Sequence, residues 1–408
     1  MCAQVRLWLI VAMAVVLGAN AGGAADASFV SFAPSRVIET APPVTETSWI
    51  AIRGGSDFDR VGLHRLAGGS NPGGALVLYL PGTNMNGELP LSDPRHWLPL
   101  YLAVNGAEVW SLDYRTHFIP PQTPQSRLAE LRGWSGALFV SDIGAAVNFI
   151  LAKTARRRLF LAGFSRGAAF AYLYAAQHPE QVSGLLILDG FIQRASGAAG
   201  LKGAASRAYA TDIGGRSLTY DKRKALLEQV IRDPNGPAPI PKYRTAAENL
   251  ARVVYESKAF GGRGGLANPF GGFSDPLTLA RVLIAYDRYW PAVQDYEDPL
   301  TPALARSLAA SKLPVLAFAS TNIAPRWPQW VTNSAAATGA KPTVIVLSGW
   351  GHLDVLCGTQ AEAQVYAPAL AWLRQHRAAA ASAPAAGPWA ASSPAASRPA
   401  PTSRGTAR

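Results

Sequence analysis

Runs of consecutive apolar residues alternate with amphipathic or Ala-rich stretches along most of the chain. Strands buried on both faces are apolar at nearly every position, so these runs predict the strands of a parallel sheet. The predicted strands are Ala75–Leu80, Glu108–Leu112, Leu159–Ala162, Gly184–Leu188, Leu313–Ala319 and Pro342–Leu347. The predicted helices are Leu138–Lys153, Ala168–Gln177 and Ala361–Arg377. This alternation predicts an α/β fold, with a mostly parallel central sheet flanked by helices.

The chain enters this pattern through residues of lower periodicity. Residues 28–47 are expected to be irregular, and Ser48–Ile52 and Val61–Leu66 predict an antiparallel entry hairpin. Ser141 or Asp142 is expected to help start the helix at Leu138.

The strand and helix alternation stops at residue 191 and resumes at residue 313. Residues 191–312 are rich in glycine and proline, with one amphipathic helix predicted over Pro276–Trp290 and capped by Ser274. An insertion of this size between two strands of one sheet is expected to form a cap over the site. A separate domain with its own function is the alternative.

The two ends of the chain differ from its centre in composition. Arg6 and the apolar run Leu7–Leu17 predict an export signal over residues 1–27, cleaved after Ala21 or Ala27, with an uncleaved anchor as the alternative. No other stretch is expected to be long and apolar enough to span a bilayer. Residues 378–408 consist mainly of Ala, Pro and Ser and predict a disordered tail. The core is therefore expected in two parts, 28–190 and 313–377, in a periplasmic or secreted protein.

The net charge of +12 comes from dispersed basic residues, and no nucleic-acid-binding module is expected. Of the two cysteines, Cys2 would leave with the signal, and Cys357 is expected to be a buried apolar residue.

The clearest chemical motif is Gly163-Phe-Ser165-Arg-Gly167, between a predicted strand and a predicted helix. A serine hydroxyl reacts when a sharp strand-to-helix turn exposes it beside a base, and flanking glycines leave room for that turn. Ser165 is therefore the candidate nucleophile, with a surface turn as the alternative.

His352 follows the last predicted strand, at the sheet edge where Ser165 is expected. A histidine in such a loop can turn towards the serine, so His352 is the candidate general base.

The residue that orients this histidine has several candidates. No Asp or Glu occurs between Lys312 and His352, so the penultimate strand cannot supply a carboxylate. Asp189 ends the strand after the nucleophile unit and is favoured. Asn322 is the alternative orienting residue, followed by an acid from the cap or Asp354, which is expected to hold its own loop.

Backbone N–H groups are expected to stabilise the oxyanion. Arg166 follows the serine, and Thr83, or Asn84, lies in the turn after Ala75–Leu80. Asp113 and Arg115, at another strand end, are expected to form a structural ion pair rather than a second catalytic site.

The chain order Ser165, Asp189, His352, together with the Gly163–Gly167 turn, resembles the α/β-hydrolase superfamily over about residues 48–190 and 313–376. Gly351-His-Leu-Asp-Val-Leu-Cys-Gly358, with Val365-Tyr366, is similar to the histidine segment of the acid lipases. The resemblance implies hydrolysis of an ester through an acyl-serine, without metal or cofactor.

Trp327, Trp330 and Trp350 follow the last two strands, with Trp97 and Trp290 as further candidates, and suggest an apolar ester or lipid substrate. The cap could contact a membrane surface. An exported peptidase or acyltransferase and a catalytically silent binding protein are the alternative functions. The sequence leaves the substrate and the oligomeric state open.

Overall fold

The computed structural model describes residues 28–68, 74–192, 217–256, 273–291 and 300–381. The expected export signal lies outside the described residues, as does the expected tail beyond Ala381.

The described strands form one nine-stranded sheet in the order β1-β2-β3-β5-β4-β6-β7-β8-β9. The strands β4 to β9, which lie in the order β5-β4-β6-β7-β8-β9, are parallel to one another. Strand β3 is antiparallel to β2 and β5, and β1 is antiparallel to β2. The strands are β1 (Val30–Ile38), β2 (Val44–Ile52), β3 (Arg60–Gly68), β4 (Leu76–Leu80), β5 (Glu108–Asp113), β6 (Leu159–Phe164), β7 (Val182–Leu188), β8 (Val315–Ser320) and β9 (Thr343–Leu347). The predicted fold class is confirmed.

Helices cover both faces of this sheet. The α-helices of the described chain are α1 (Leu98–Val104), α2 (Gly136–Thr154), α3 (Arg166–Gln177), α4 (Ser217–Arg232), α5 (Ala246–Glu256), α6 (Pro276–Ile284), α7 (Pro302–Ser311), α8 (Trp327–Ala336), α9 (Asp354–Cys357) and α10 (Ala367–Ala381). Helix α10 continues a π-helical turn, Glu362–Tyr366.

The sheet separates two hydrophobic clusters, because successive side chains of a strand point to opposite faces. In β4, Leu76, Leu78 and Leu80 pack with α2, α3, α7 and α8, whereas Val77 and Tyr79 pack with α1 and α10. The described helices of the insertion, α4, α5 and α6, join this second cluster. The insertion and the core therefore share buried apolar surface.

The entry region differs from the sequence-based expectation. Residues 28–47 contain β1 and the start of β2 instead of irregular chain. Strand β1 is exposed at every position except Ile38, so it lacks the buried face that a period-2 pattern would reveal. Its register comes from pairing with β2.

The helix starts also differ from the prediction. Ser135 caps α2 by accepting a hydrogen bond from the Leu138 N–H (3.3 Å), so neither Ser141 nor Asp142 does so. Asp275 caps α6 through the Thr278 N–H (2.9 Å), so the expected Ser274 cap is wrong. Ser and Asp side chains both serve as helix caps, so the sequence alone did not discriminate between the adjacent residues Ser274 and Asp275.

Two further boundaries move. Helix α6 ends at Ile284 rather than Trp290. Helix α7 packs on the core helix α3, where Ser307 Oγ donates to the Ala176 carbonyl (2.6 Å). Residues 302–311, expected to be part of the cap, therefore belong to the core layer. Helix α10 passes the predicted end, Arg377, and reaches Ala381.

Helix α2 is the one described helix long and apolar enough to cross a membrane by length and composition. The expectation that no later stretch passes this test is therefore wrong. Helix α2 nevertheless packs as a core helix. Its buried side chains join the hydrophobic cluster that contains Leu76, Leu78 and Leu80 of β4, and they include Phe139, Ile143, Val147 and Ile150.

Candidate active site

Ser165 stands at the junction between β6 and α3. Its backbone has φ 52° and ψ −115°, a strained conformation for a residue with a side chain, and its N–H donates to the Leu188 carbonyl (3.0 Å). A side chain at Gly167 would collide with the Leu80 carbonyl, so only glycine lets α3 approach β4 this closely. The expected strand, sharp turn and helix around the candidate nucleophile are all present.

His352 lies in the loop after β9, beside this turn. Its imidazole packs against the ring of Phe164, the residue before Ser165, with ring centroids 4.7 Å apart. The indole of Trp327 approaches the imidazole edge-on at 5.4 Å. The candidate base therefore contacts the residue that directly precedes the candidate nucleophile.

Asp189 follows β7 and is completely buried. Its Oδ2 lies 3.6 Å from Nδ1 of His352. Its Oδ1 accepts hydrogen bonds from the Ser320 N–H (2.7 Å) and from Nε1 of Trp327 (3.2 Å). Two donors thus hold one carboxylate oxygen, while the other faces the imidazole at slightly more than hydrogen-bond distance.

The other acid candidates lie elsewhere. Asp354 accepts from the Gly351 N–H (2.7 Å) and from Ser274 Oγ (2.5 Å), which is the expected loop-holding arrangement. Asn322 donates its backbone N–H to the Trp350 carbonyl (3.0 Å), and within the described chain no hydrogen bond joins it to His352. Asp287, a described acid of the insertion, pairs with His117 and so is engaged away from His352.

The turn after β4 passes directly over the nucleophile. The Met85 N–H donates to the Gly82 carbonyl (3.0 Å), and Asn84 adopts φ 62°. A Cβ atom at Gly82 would lie 3.1 Å from Cβ of Ser165. Within the described chain the Thr83 N–H donates to no protein acceptor. The turn therefore lies against Ser165, and Arg166 is the first residue of α3.

The expected ion pair between Asp113 and Arg115 is wrong. Asp113 instead accepts from the Gly87 N–H (2.7 Å) and pairs with Nε2 of His64 (2.9 Å). Arg115 pairs with Asp142 and with Asp59. Strand β5 ends at Asp113, and Arg115 begins a 3₁₀ turn (Arg115–Phe118), so the two side chains do not share one face of a strand.

Two histidines near this strand end are held in the protonated form. Burial opposes protonation of His64, but the charge of Asp113 and hydrogen bonds to Asp113 and Glu46 outweigh it and raise its pKa to about 10. Burial also opposes protonation of His117, but the charges of Asp113 and Asp287 raise its pKa to about 10. Burial would raise the pKa of Asp113, and the two histidine charges keep it below its usual range instead.

Sequence reasoning missed the cluster around His117. Its residues Asn86, His117 and Asp287 come from three distant segments and form no motif. The available signal was the three polar residues Thr83, Asn84 and Asn86 in the loop after an apolar strand, which is typical of a functional loop.

The tryptophans divide into two groups. Trp327 and Trp330 form a cluster with Phe191, whose ring lies 4.9 Å and 5.2 Å from theirs, and Trp327 contacts His352. Trp97, Trp290 and Trp350 are at most 2% exposed and belong to the core, so they are not at the mouth of the site.

Cys357 is buried as expected, and burial raises the pKa of its thiol. Among the described residues no group of three His, Cys, Asp or Glu side chains could hold a metal ion.

Several solved structures are similar to this chain. The chain resembles a candidate lipase from Sulfolobus solfataricus with a TM-score of 0.70 and 24% identity, over 85% of this chain and 99% of that one. A carboxylesterase structure from Nitrososphaera gargenis (TM-score 0.45, 13% identity, 86% and 100% coverage) and Rv0554 from Mycobacterium tuberculosis (0.48, 16%, 78% and 94%) are more distant. No family model and no curated protein matches.

Proposed function

Since the chain has the α/β-hydrolase fold, we propose that it is an exported serine hydrolase that cleaves a carboxylic ester through an acyl-serine intermediate. The main support is the 3.6 Å approach of Asp189 Oδ2 to His352 Nδ1, beside a strained serine at the end of β6. These three side chains come from three strand ends at one edge of the sheet. That arrangement suits proton transfer from a nucleophile.

In the proposed reaction, Ser165 Oγ attacks the ester carbonyl carbon while His352 takes the hydroxyl proton. Asp189 stabilises the imidazolium that forms. The N–H groups of Thr83 and Arg166 donate to the oxyanion of the tetrahedral intermediate. When this intermediate collapses, the C–O bond to the alcohol breaks and His352 returns the proton to the leaving oxygen. Water then repeats the sequence on the acyl-serine, releasing the acid and free Ser165.

The proposed substrate is an ester with an apolar acyl or alcohol group. Trp327 contacts His352, and Phe191 stacks edge-on against Trp327 at 4.9 Å, which gives the site an apolar wall. Both rings are partly exposed, so they can lose further water-accessible area to a ligand.

Labelling with a fluorophosphonate tests the nucleophile. We expect one adduct on Ser165 in the folded protein and none in Ser165→Ala, while Ser141→Ala, an exposed serine on α2, labels normally. A folded protein with no adduct would contradict the proposal. A panel of p-nitrophenyl esters of increasing chain length, with matched amides, then separates an esterase from a peptidase.

Contact of the cap with a lipid surface is part of the proposal. Ile231, Ile240 and Val253, all in the insertion, are exposed. An ester presented below and above its critical micelle concentration tests this contact. A rate jump at the interface is expected, and a smooth saturation curve would restrict the enzyme to dissolved esters.

Export is proposed from Arg6 and the run Leu7–Leu17. Determination of the mature N-terminus after expression in a bacterial host tests it. A new N-terminus at residue 22 or 28 is expected, and an intact N-terminus in the cytoplasmic fraction would contradict it.

A further inference from the structure

Helix α6 of the insertion joins two loops of the candidate site. At its N-terminal side, the ring of Phe273 packs on Trp350 at 5.2 Å, and Ser274 Oγ donates to Asp354 Oδ1. Asp354 in turn accepts from the Gly351 N–H, next to His352. This side of the helix therefore holds the histidine loop.

The C-terminal side of the same helix holds the Gly82–Met85 turn. The Asp287 N–H donates to the Asn84 carbonyl (2.7 Å), and the Asn84 side chain returns a bond to the Asp287 carbonyl (3.1 Å). Asn86 Nδ2 adds a bond to the carbonyl of Ala285 (2.9 Å). The turn is thus restrained at both ends, because Gly82 lies against Ser165 and Asn84 is bonded to Asp287.

The carboxylate of Asp287 completes this contact. It is buried, and its Oδ1 accepts from Asn86 Nδ2 (3.0 Å) and from Nδ1 of His117 (2.9 Å). The charged groups facing His117 are Asp287, Asp113 and Glu88, whose Oε1 lies 3.8 Å away, and His64 lies across Asp113. A hydrogen bond between charged partners is stronger than a neutral one, particularly when buried.

We propose that residues 273–287 act as a brace between the histidine loop and the oxyanion turn, in which Asp287 is a positioning residue for the Thr83 N–H. The inference rests on the proposed function and deepens it. Thr83 lies between Gly82, which abuts the nucleophile, and Asn84, which is bonded to Asp287 in both directions. A shift at Asp287 therefore moves the amide relative to Ser165.

The expected size of the effect follows from the demands of oxyanion stabilisation. Loss of a single donor typically costs about 10²–10³ in kcat, and a misplacement of about 1 Å can cost about 10². A displaced amide stabilises the transition state less well, whereas substrate binding by the aromatic wall stays intact. The loss should therefore appear in kcat and not in KM.

The test is Asp287→Asn, which keeps the shape of the side chain and removes its charge. We expect kcat for a p-nitrophenyl ester to fall about 10²-fold per site titrated by fluorophosphonate, with KM within about twofold of wild type. A boronic acid that mimics the tetrahedral intermediate should lose affinity by the same factor as kcat. The control is Asp233→Asn, the same substitution in the insertion at an exposed turn, which should retain wild-type kcat.

Wild-type kcat in Asp287→Asn, or a KM effect alone, would overturn the brace and leave the proposed function standing. A wild-type protein with neither adduct nor turnover would overturn both. If Asp287→Asn does not fold, Asn86→Ala removes the bonds to Ala285 and Asp287 without uncovering a charge. The same loss of kcat and of boronic acid affinity is expected from it, and their retention would equally reject the brace.

Discussion

Oδ2 of Asp189 lies 3.6 Å from Nδ1 of His352, and neither atom has a hydrogen-bond partner within the described chain. The other oxygen of the carboxylate is held by Ser320 and Trp327. A buried acceptor without a donor is unfavourable, and a small rotation of the imidazole would join the two atoms. The pair is thus arranged to tighten when the imidazole becomes charged.

Replacing Asp189 by Asn should lower kcat by about 10³–10⁴, because the amide can hold the imidazole in the wrong tautomer and cannot stabilise its charge. Asn322→Ala serves as the comparison and should change kcat by no more than a few-fold. Turnover of a p-nitrophenyl ester measures both. The opposite ranking would transfer the orienting role to Asn322.

Trp327→Phe should lower kcat about 10-fold. The ring that packs on His352 is retained, but the donor to Asp189 Oδ1 is lost, and a hydrogen bond to a charged group is worth about 1.5–3 kcal/mol. Trp330→Phe is the matched control, since its indole N–H has no partner within the described residues. Equal losses in the two variants would show that the indole N–H of Trp327 is unimportant.

Gly82→Ala should lower kcat by at least about 10²-fold, since the oxyanion turn is displaced. The added Cβ would lie 2.8 Å from the Phe164 ring and 3.1 Å from Cβ of Ser165, so the turn must move away from the nucleophile. Gly55→Ala meets nothing within 4 Å and is the control. Steady-state kinetics and the fluorophosphonate labelling rate give the measurement. An active, normally labelled Gly82→Ala would show that this turn does not serve the reaction.

The free energy of unfolding should fall as the pH rises from about 6.5 to about 10. Folded His64 and His117 keep their protons to about pH 10, whereas the unfolded chain releases them near 6.5. Their contribution is therefore complete below pH 6.5 and lost above 10, with a slope of at most about 1.4 kcal/mol per pH unit for each histidine.

Urea unfolding followed by tryptophan fluorescence at several pH values measures this slope. Asp113→Asn removes the charge that faces both histidines and should flatten it. His178→Gln, at a half-exposed position, should leave it unchanged. A slope in Asp113→Asn as steep as that of the wild type would contradict the assignment.

The central sheet could be predicted because β4, β6, β7 and β8 are apolar at nearly every position. The exposed strand β1 could not, since its position depends on β2 and not on a buried face of its own. Helix α5 carried a usable signal, because Ala247, Leu250, Ala251 and Val254 repeat at helical spacing, and all four are buried. Its glycine-rich surroundings obscured that pattern.

The same distinction applies to the candidate site, where residues in a local sequence pattern could be predicted and contacts between distant segments could not. Ser165 and His352 follow strands with recognisable local patterns, and the imidazole of His352 packs on the ring of Phe164, the residue before Ser165. The contact between Asp287 and the Asn84 turn joins residues about two hundred positions apart and leaves no local pattern. Only tertiary structure reveals it. The roles assigned to Ser165, Asp189, His352, Thr83 and Arg166 stay predictions for the experiments above.

The left-handed backbone of Ser165 sets folding stability against reactivity at a single position. A residue with a side chain in such a conformation costs about 1–3 kcal/mol, a strain that the surrounding packing must overcome. Ser165→Gly should therefore abolish turnover and yet raise the melting temperature, which calorimetry can measure. An inactive homologue, freed from selection for chemistry, would be expected to drift towards glycine here and become the more durable protein.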